Sequence, residues 1–275
     1  MTSSLTSAEI SRYARDGIVF PIPVISGKEA ALGLERLEAL EEREGGKLSD
    51  RTNEKPHLLL PWLCDLVRHP RILDAVESVL GPNILCWASG FFAKSPSDGS
   101  FISWHQDSTY WGLSSPDVLT AWVALTPSNA SNGCLQVIPG SHTEQVAHRD
   151  TFAQGNMLSR GQEIAVEVDR TKAVDVRLEP GQMSLHHVRI FHGSEANRGT
   201  LRRVGFSIRY LPTHVRQLQG RTTALLVRGV DEYHHFEPER IPKAEWDAEA
   251  VACHSYALGL LMSQIYAGAA KLPAR

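Results

Sequence analysis

Two different periods of apolar and polar positions run along this 275-residue chain. In roughly the first 80 residues the helical period dominates. Thr6-Ser7-Ala8-Glu9 has the form of a capping box, and it predicts a short helix ending near Asp16-Gly17. Ile18-Val19-Phe20 predicts a strand, stopped by Pro21 and Pro23. From Gly27 to about Glu44, Ala31, Leu34, Leu37 and Leu40 recur at helical spacing with charges between them, and Gly45-Gly46 ends that helix. The polar stretch that follows, through Lys55, reads as a mobile surface segment. Leu63 to Leu80 reads as helix, interrupted at His69-Pro70 and closed by Gly81-Pro82.

From Ile84 to Pro212 the texture changes to short β-prone runs separated by Gly, Pro, Ser and Asn. The runs are 84–94, 101–104, 118–126, 135–138, 163–168, 173–178, 183–191 and 204–211. Many short strands at this rhythm predict a mainly β protein with flanking helices, built on a double-stranded β-helix (a jelly-roll or cupin-like core). A last helix is predicted from Ala244 to about Ala267. No internal repeat, low-complexity tract or linker interrupts the pattern. The expectation is one domain over 1–275: a helical N-terminal section to about 83, a core over about 84–212, and a C-terminal extension over about 213–275.

Composition narrows the function classes. A net charge of −3 leaves no basic footprint for nucleic acid or an anionic membrane surface. Cys64, Cys86, Cys134 and Cys253 are scattered and form no C-x-x-C pair, which suits reduced thiols better than a disulfide framework. The polar stretch Met1 to Glu9 lacks the pattern of a signal peptide, and no apolar run approaches the roughly 18–20 residues that span a bilayer. The expectation is a soluble, cytoplasmic protein acting on a small molecule; a homodimer is left open. Much of the positive charge is arginine between Arg189 and Arg228, and a guanidinium fork suits carboxylate or phosphate-type ligands.

The chemistry concentrates in two places. Trp104-His105-Gln106-Asp107 puts an imidazole and a carboxylate two residues apart at the end of a predicted strand, where i and i+2 point the same way. His192 follows at the end of the strand read as Met183 to Phe191. Two histidines and one carboxylate can occupy one face of an octahedral ion and leave the opposite face open, the donor set of non-haem Fe(II) oxygenases; Mn, Co or Zn would also bind. Arg203, 11 positions after His192, could clamp a dicarboxylate. By itself H-x-D recurs by chance, and His186, His187, His214, His234 and His235 are rival ligands.

The wider context resembles the phytanoyl-CoA dioxygenase-like family of Fe(II)/2-oxoglutarate-dependent oxygenases, in a bacterial small-molecule form. Asp16-Gly17-Ile18-Val19, Ile72-Leu73-Asp74-Ala75, Leu80-Gly81-Pro82, Trp104-His105-Gln106-Asp107, Ala121-Trp122-Val123-Ala124-Leu125, Asn132-Gly133-Cys134-Leu135, Ile138-Pro139-Gly140-Ser141-His142, His192-Gly193-Ser194, Asn197 and Arg203 appear in the family's order. The resemblance implies that His105, Asp107 and His192 bind Fe(II). It implies that Arg203 and Ser194 hold the distal carboxylate of 2-oxoglutarate and that Trp122 lines the co-substrate pocket. Arg202 competes with Arg203 for that role. Asn132-Gly133 and Pro139-Gly140-Ser141 are read as turns, and His142 as a capping or solvated residue.

With O2, such an enzyme converts 2-oxoglutarate to succinate and CO2 and hydroxylates an unactivated C–H bond. Related halogenating enzymes have a small residue in place of the carboxylate, so Asp107 favours hydroxylation. Tyr110 and Trp111 could enclose an ammonium group, and Arg189 and Arg209 could hold an acidic one, which suggests a small zwitterion such as an amino acid or aminophosphonate. The rival readings are a desaturase or halogenase on the same scaffold, a zinc hydrolase, and a non-catalytic metal-binding jelly roll.

Overall fold

The computed structural model describes residues 4–267 and 269; the first three residues of the polar N-terminal stretch lie outside them. In chain order the elements are α1 (Ser7–Asp16), β1 (Ile18–Pro23), α2 (Gly27–Arg43), α3 (Asp50–Asn53), α4 (Pro61–Val67), α5 (Pro70–Leu80), β2 (Ile84–Lys94), β3 (Ile102–His105) and β4 (Leu119–Ala124). There follow β5 (Leu135–Ile138), β6 (His148–Asp150), β7 (Gln162–Ile164), β8 (Val174–Val176), β9 (Gln182–His187), β10 (Phe191–Ser194), β11 (Arg203–Pro212), β12 (Thr223–Arg228), β13 (Glu237–Pro238) and α6 (Ala248–Ile265).

Local chemistry sets several of these boundaries. The Thr6 capping box forms as the sequence predicts, with Glu9 reaching back to the Thr6 backbone, and Ser26 and Glu29 build a second one at the start of α2. Pro61 and Pro70 sit in the first turns of α4 and α5, where a missing N–H costs nothing.

The strands form a seven-stranded sheet, ordered β1-β9-β4-β11-β2-β12-β13, and a four-stranded sheet, β3-β10-β5-β8, with β6 and β7 as a separate pair. Alternation along β11 shows how the layers are assembled. Val204, Phe206, Ile208 and Tyr210 pack with Leu37, Leu63, Ile72 and Val76 of the helices; each such apolar side chain contributes about 1.5–3 kcal/mol on burial. The opposite face, bearing Arg203, Gly205, Ser207 and Arg209, turns to the second sheet. Trp122 and Ala124 of the large sheet meet Leu135 and Val137 of the small one in a shared cluster, so the two sheets face each other as a jelly roll. Among the described residues no helix is long and apolar enough to cross a membrane.

Four sequence expectations are corrected. β1 continues through Pro21 and Pro23 because it is an edge strand paired only with β9, and its register shifts between Val19 and Ile22 to pass Pro21. The run 183–191 is two strands, not one: a half-buried turn over His187–Ile190 carries the chain from the large sheet to the small one, so His192 lies inside β10. The C-terminal extension supplies β12 and β13 to the large sheet. The polar segment ending at Lys55 is no loose surface loop: α3 forms within it, and Lys55 is fully buried, its ammonium 2.5 Å from Glu239 and 3.1 Å from both the Thr223 carbonyl and hydroxyl oxygens.

Candidate active site

β3 and β10 pair antiparallel with His105 directly opposite His192, so register alone makes the two imidazoles neighbours; their ring centroids are 4.0 Å apart. Asp107 follows as the first residue of a 3-10 turn over Asp107–Tyr110. Its Oδ1 lies 3.3 Å from Nε2 of His105 and 3.8 Å from Nε2 of His192. Each Nδ1 is 2.9 Å from a carbonyl oxygen, of Ser103 for His105 and of Ile190 for His192. A carbonyl only accepts, so Nδ1 donates in both rings and each Nε2 lone pair is left aimed at the centre. The three residues are the one group among the described residues that could hold a metal, with donor atoms within 4.8 Å of one another.

Electrostatics agree with this arrangement. Burial pushes the His192 pKa well down, and the charge of His105 adds to it, so its lone pair is free at neutral pH. Burial pushes Asp107 up, but the polar contact with His105 and the nearby His192 and Arg209 draw it down further and hold it below the usual carboxylate range. An ionised carboxylate beside neutral imidazole nitrogen suits a divalent first-row cation.

Gln106, between two of these donors, fixes the turn. Its Nε2 donates to the carbonyls of Glu144 (2.7 Å) and Arg189 (2.6 Å), its Oε1 accepts from the Val146 amide (2.9 Å), and its own amide donates to Nε2 of His148 (2.8 Å). On the other side the Thr120 hydroxyl donates to Asp107 at 3.4 Å.

Arg203 opens β11 and is 2% exposed. Its Nη1 donates to the Gly133 carbonyl at 2.7 Å, whereas Nε and Nη2 are buried with no partner among the described residues. Burial lowers its pKa to about 10, so it stays charged. Its guanidinium lies 5.3 Å from the Trp122 ring. Trp122 has that position because Gly205 has no side chain: a Cβ there would sit 1.9 Å from the indole. Lys94, the register partner of Arg203 on β2, is also fully buried and donates to the Ser194 hydroxyl (2.6 Å), the Ser194 carbonyl (3.2 Å) and the Glu195 carbonyl (2.6 Å). When Lys94 is protonated the three acceptors use all three ammonium protons, so the Ser194 proton then points elsewhere. Burial, and then the Arg203 charge, lower the Lys94 pKa to about 7; with no carboxylate in ion-pair range of either residue among the described residues, a bound dianion would favour the charged form of both.

Arg202 faces the other way and is held by the Glu41 carboxylate at 2.6 and 2.8 Å. Of the rival histidines, His186 packs against His192 at 5.1 Å but belongs to no donor cluster, and burial lowers its pKa to about 4. His187 packs with Tyr13 and His142, and the His142 ring covers Gly17. His214, His234 and His235 are exposed.

The four expected substrate residues separate. Tyr110 lies under the Arg160 guanidinium at 4.6 Å, and Trp111 packs on Trp87 at 5.1 Å, so the two do not form an open cage. Trp111 and Arg189 help line a cavity of about 350 Å³ with Ser108, Val118 and His148, and the Arg189 Nε is buried without a partner among the described residues. The Arg209 guanidinium lies 5.8 Å from the Phe92 ring and 5.9 Å from the Trp111 ring. Sequence reasoning missed Lys94, Thr120 and the bracing role of Gln106; for Lys94 the only signal was a charge closing an otherwise apolar strand.

Fold and site together define a jelly-roll protein with two histidines and one carboxylate at its centre. The phytanoyl-CoA dioxygenase (PhyH) family model matches residues 28–205, well over half of the chain, and the chain belongs to that family. It is 33% identical over 169 residues to a probable alpha-ketoglutarate-dependent hypophosphite dioxygenase of Stutzerimonas stutzeri, covering 59% of this chain and 58% of the relative. It is 30% identical over 159 residues to an ectoine dioxygenase of Bordetella parapertussis, covering 52% of each. The chain thus spans somewhat over half the length of these curated relatives. Among solved structures it resembles the apo non-heme monooxygenase ThoJ, at 35% identity and TM-score 0.84 over 94% of this chain and 97% of that one. It also resembles CytC3 with Fe(II) and alpha-ketoglutarate, at 27% identity and TM-score 0.64 over 88% of this chain and 100% of that one.

Proposed function

We propose that this protein is an Fe(II)- and 2-oxoglutarate-dependent dioxygenase that hydroxylates an unactivated C–H bond of a small polar or zwitterionic metabolite, giving succinate and CO2. The observation that carries this reading is the convergence of the His105 and His192 Nε2 atoms on the Asp107 carboxylate, inside the barrel that also encloses a guanidinium with two free donors. His105, Asp107 and His192 would hold the iron on one face. Arg203 would grip the distal carboxylate of 2-oxoglutarate with Nε and Nη2, and the Ser194 hydroxyl, with Lys94 behind it, would donate to the same group. Trp122 would wall the co-substrate from the apolar end of the barrel, where Leu135 and Val137 exclude water. What Fe(II) supplies when bound is O2 activation coupled to oxidation of 2-oxoglutarate and substrate.

The Asp107 carboxylate favours hydroxylation over halogenation, because it takes the corner that a halide would need. The relatives named for hypophosphite and ectoine support a small polar substrate. Asp107→Ala tests the assignment: iron binding is expected to weaken and 2-oxoglutarate turnover to disappear, and substantial retained turnover would refute it. Products formed with and without chloride separate hydroxylation from halogenation and desaturation.

A further inference from the structure

We infer that Glu54 and Arg209 are the two charged poles of the substrate site, and that the substrate carries an ammonium group for the first and an oxyanion for the second. This rests on the oxygenase reading above and deepens it.

Arg209 shares the barrel-facing side of β11 with Arg203. The two are six residues apart, about 20 Å along an extended strand, so one dicarboxylate cannot occupy both. The register places Arg209 opposite Thr120, whose hydroxyl touches Asp107. Arg209 therefore stands level with the metal donors, while Arg203 and Lys94 sit further along the barrel. Its guanidinium has ring faces near it, at Phe92 and Trp111, and no hydrogen bond or ion pair among the described residues. Arginine held between rings, with its donors unspent, is suited to grip a carboxylate or phosphonate in its plane.

Glu54 reaches the same space from a segment whose polar composition conceals it. The chain there lies along β2: the Lys55 amide donates to the Ser89 carbonyl at 2.9 Å, and the Asn53 side chain exchanges two hydrogen bonds with the Phe91 backbone at 2.8 and 3.0 Å. Glu54 is extended, with φ −88° and ψ 124°, and Lys55 after it is left-handed, with φ 51° and ψ 42°, so the chain turns sharply between the two. Lys55 goes to the outer face, to Glu239. The Asn53 carbonyl that precedes Glu54 lies against Gly90, where a Cβ would sit 2.8 Å from it, and so on the face of β2 that carries Ala88, the register partner of Arg209. Its carboxylate has no hydrogen bond or ion pair among the described residues. Burial pushes its pKa up, and the charge of Arg209 is the largest influence opposing that. A carboxylate and a guanidinium within each other's field, both unpaired, fit opposite ends of a dipolar molecule. The ammonium role expected of Tyr110 and Trp111 thus passes to Glu54.

The test uses the full chain loaded with Fe(II) and 2-oxoglutarate. Melting temperature is read without O2, and 2-oxoglutarate consumption with it, against a panel of α-, β- and γ-amino acids and aminoalkylphosphonates, each beside its N-acetyl and ester forms. At least one zwitterion is expected to raise both readouts, with either blocked form weaker by roughly 10- to 100-fold. The amino acid and phosphonate arms distinguish the two oxyanions. Glu54→Gln should erase the preference for the free amine, Arg209→Gln the preference for the free acid, and Glu54→Asp should retain part of the former. The inference is overturned if both variants discriminate as the wild type does, if only uncharged or singly charged compounds respond, or if no zwitterion does. Failure of the oxygenase reading would look different: metal with 2-oxoglutarate would not raise the melting temperature of the wild type at all.

Discussion

Replacing Arg203 with Met should separate the binding of 2-oxoglutarate from the integrity of the fold. Two of its nitrogens are buried with no partner among the described residues, and a charge-assisted hydrogen bond contributes about 1.5–3 kcal/mol. Losing two such bonds to a carboxylate, with Lys94 still supplying positive charge nearby, is expected to cost about 3–5 kcal/mol, a rise in Kd of two to more than three orders of magnitude. The protein alone should scarcely notice. Orphaning the Gly133 carbonyl costs about 1–3 kcal/mol, but removing a fully buried cation offsets much of it, so the ligand-free Tm should stay within about 4 °C of wild type. Arg202→Met should do the reverse. It leaves the nearly buried Glu41 carboxylate unpaired and should lower stability by about 1–3 kcal/mol, discounted for the partial exposure of Arg202, while 2-oxoglutarate binds as before. Calorimetric titration of 2-oxoglutarate into Mn(II)-loaded protein, with parallel melting curves, reads both effects. If Arg203→Met binds within threefold of wild type, or Arg202→Met is the variant that loses binding, the dicarboxylate seat is misassigned.

Three further outcomes follow from particular contacts. Gln106→Ala removes three side-chain hydrogen bonds that fix the turn between His105 and Asp107, and should weaken Co(II) binding about 10- to 100-fold without unfolding the protein, as titration of the metal would report. Gly205→Ala would put a Cβ 1.9 Å from the Trp122 indole, so the ring must move; a stability loss of about 1–3 kcal/mol should come with altered near-ultraviolet dichroism and weaker 2-oxoglutarate binding. The Glu239 carboxyl is pushed up by burial but drawn down further by Lys55 and His57, from 4.5 to about 2. A depressed folded-state pKa stabilises above the unfolded value and is lost as pH falls through the folded one. Urea midpoints should therefore drop between about pH 4.5 and pH 2, and Glu239→Gln should flatten that part of the profile while lowering stability at neutral pH.

How much of this was legible in the sequence depends on how far apart the interacting residues lie along the chain. The His105–Asp107 pair could be read because strand alternation acts over two residues, and the helices because capping boxes act over three. Arg203 could be preferred to Arg202 by counting from His192, and the opposite faces of neighbouring strand residues explain why one turns to Glu41 and the other inward. Lys94 could not be read, since its importance comes from a register that sets it beside Arg203, across more than a hundred residues. The segment ending at Lys55 looked like surface because a charge is normally solvated; its partner, Glu239, is 184 residues away. The turn at His187–Ile190 was hidden for the opposite reason. Val188 and Ile190 are both buried, in different clusters, and alternate with His187 and Arg189, so the strand pattern runs on through the turn and does not mark where one strand ends and the next begins.

These failures have a common physical basis, which bears on function. A strand enclosed between two packed sheets is expected to be apolar on its inner face. Over residues 203–210 of β11 the apolar residues all face the helices, and the inner face reads Arg203, Gly205, Ser207, Arg209. With Lys94, Glu54 and Asp107 added, five ionisable groups line it, and no ion pair joins any two of them among the described residues; burial pushes the Lys94 pKa down to about 7 and that of Glu54 up. Such an interior is costly for the protein alone, since each charge gives up water without a full partner. In the proposed function, cation, dianion and dipolar substrate would supply the missing counter-charges. Each ligand should then stabilise the fold in proportion to its binding, by about 2.7 kcal/mol at a concentration one hundred times its Kd. The residues that break the pattern of an ordinary β core are the ones the proposed chemistry uses, which is where local rules are expected to yield to function.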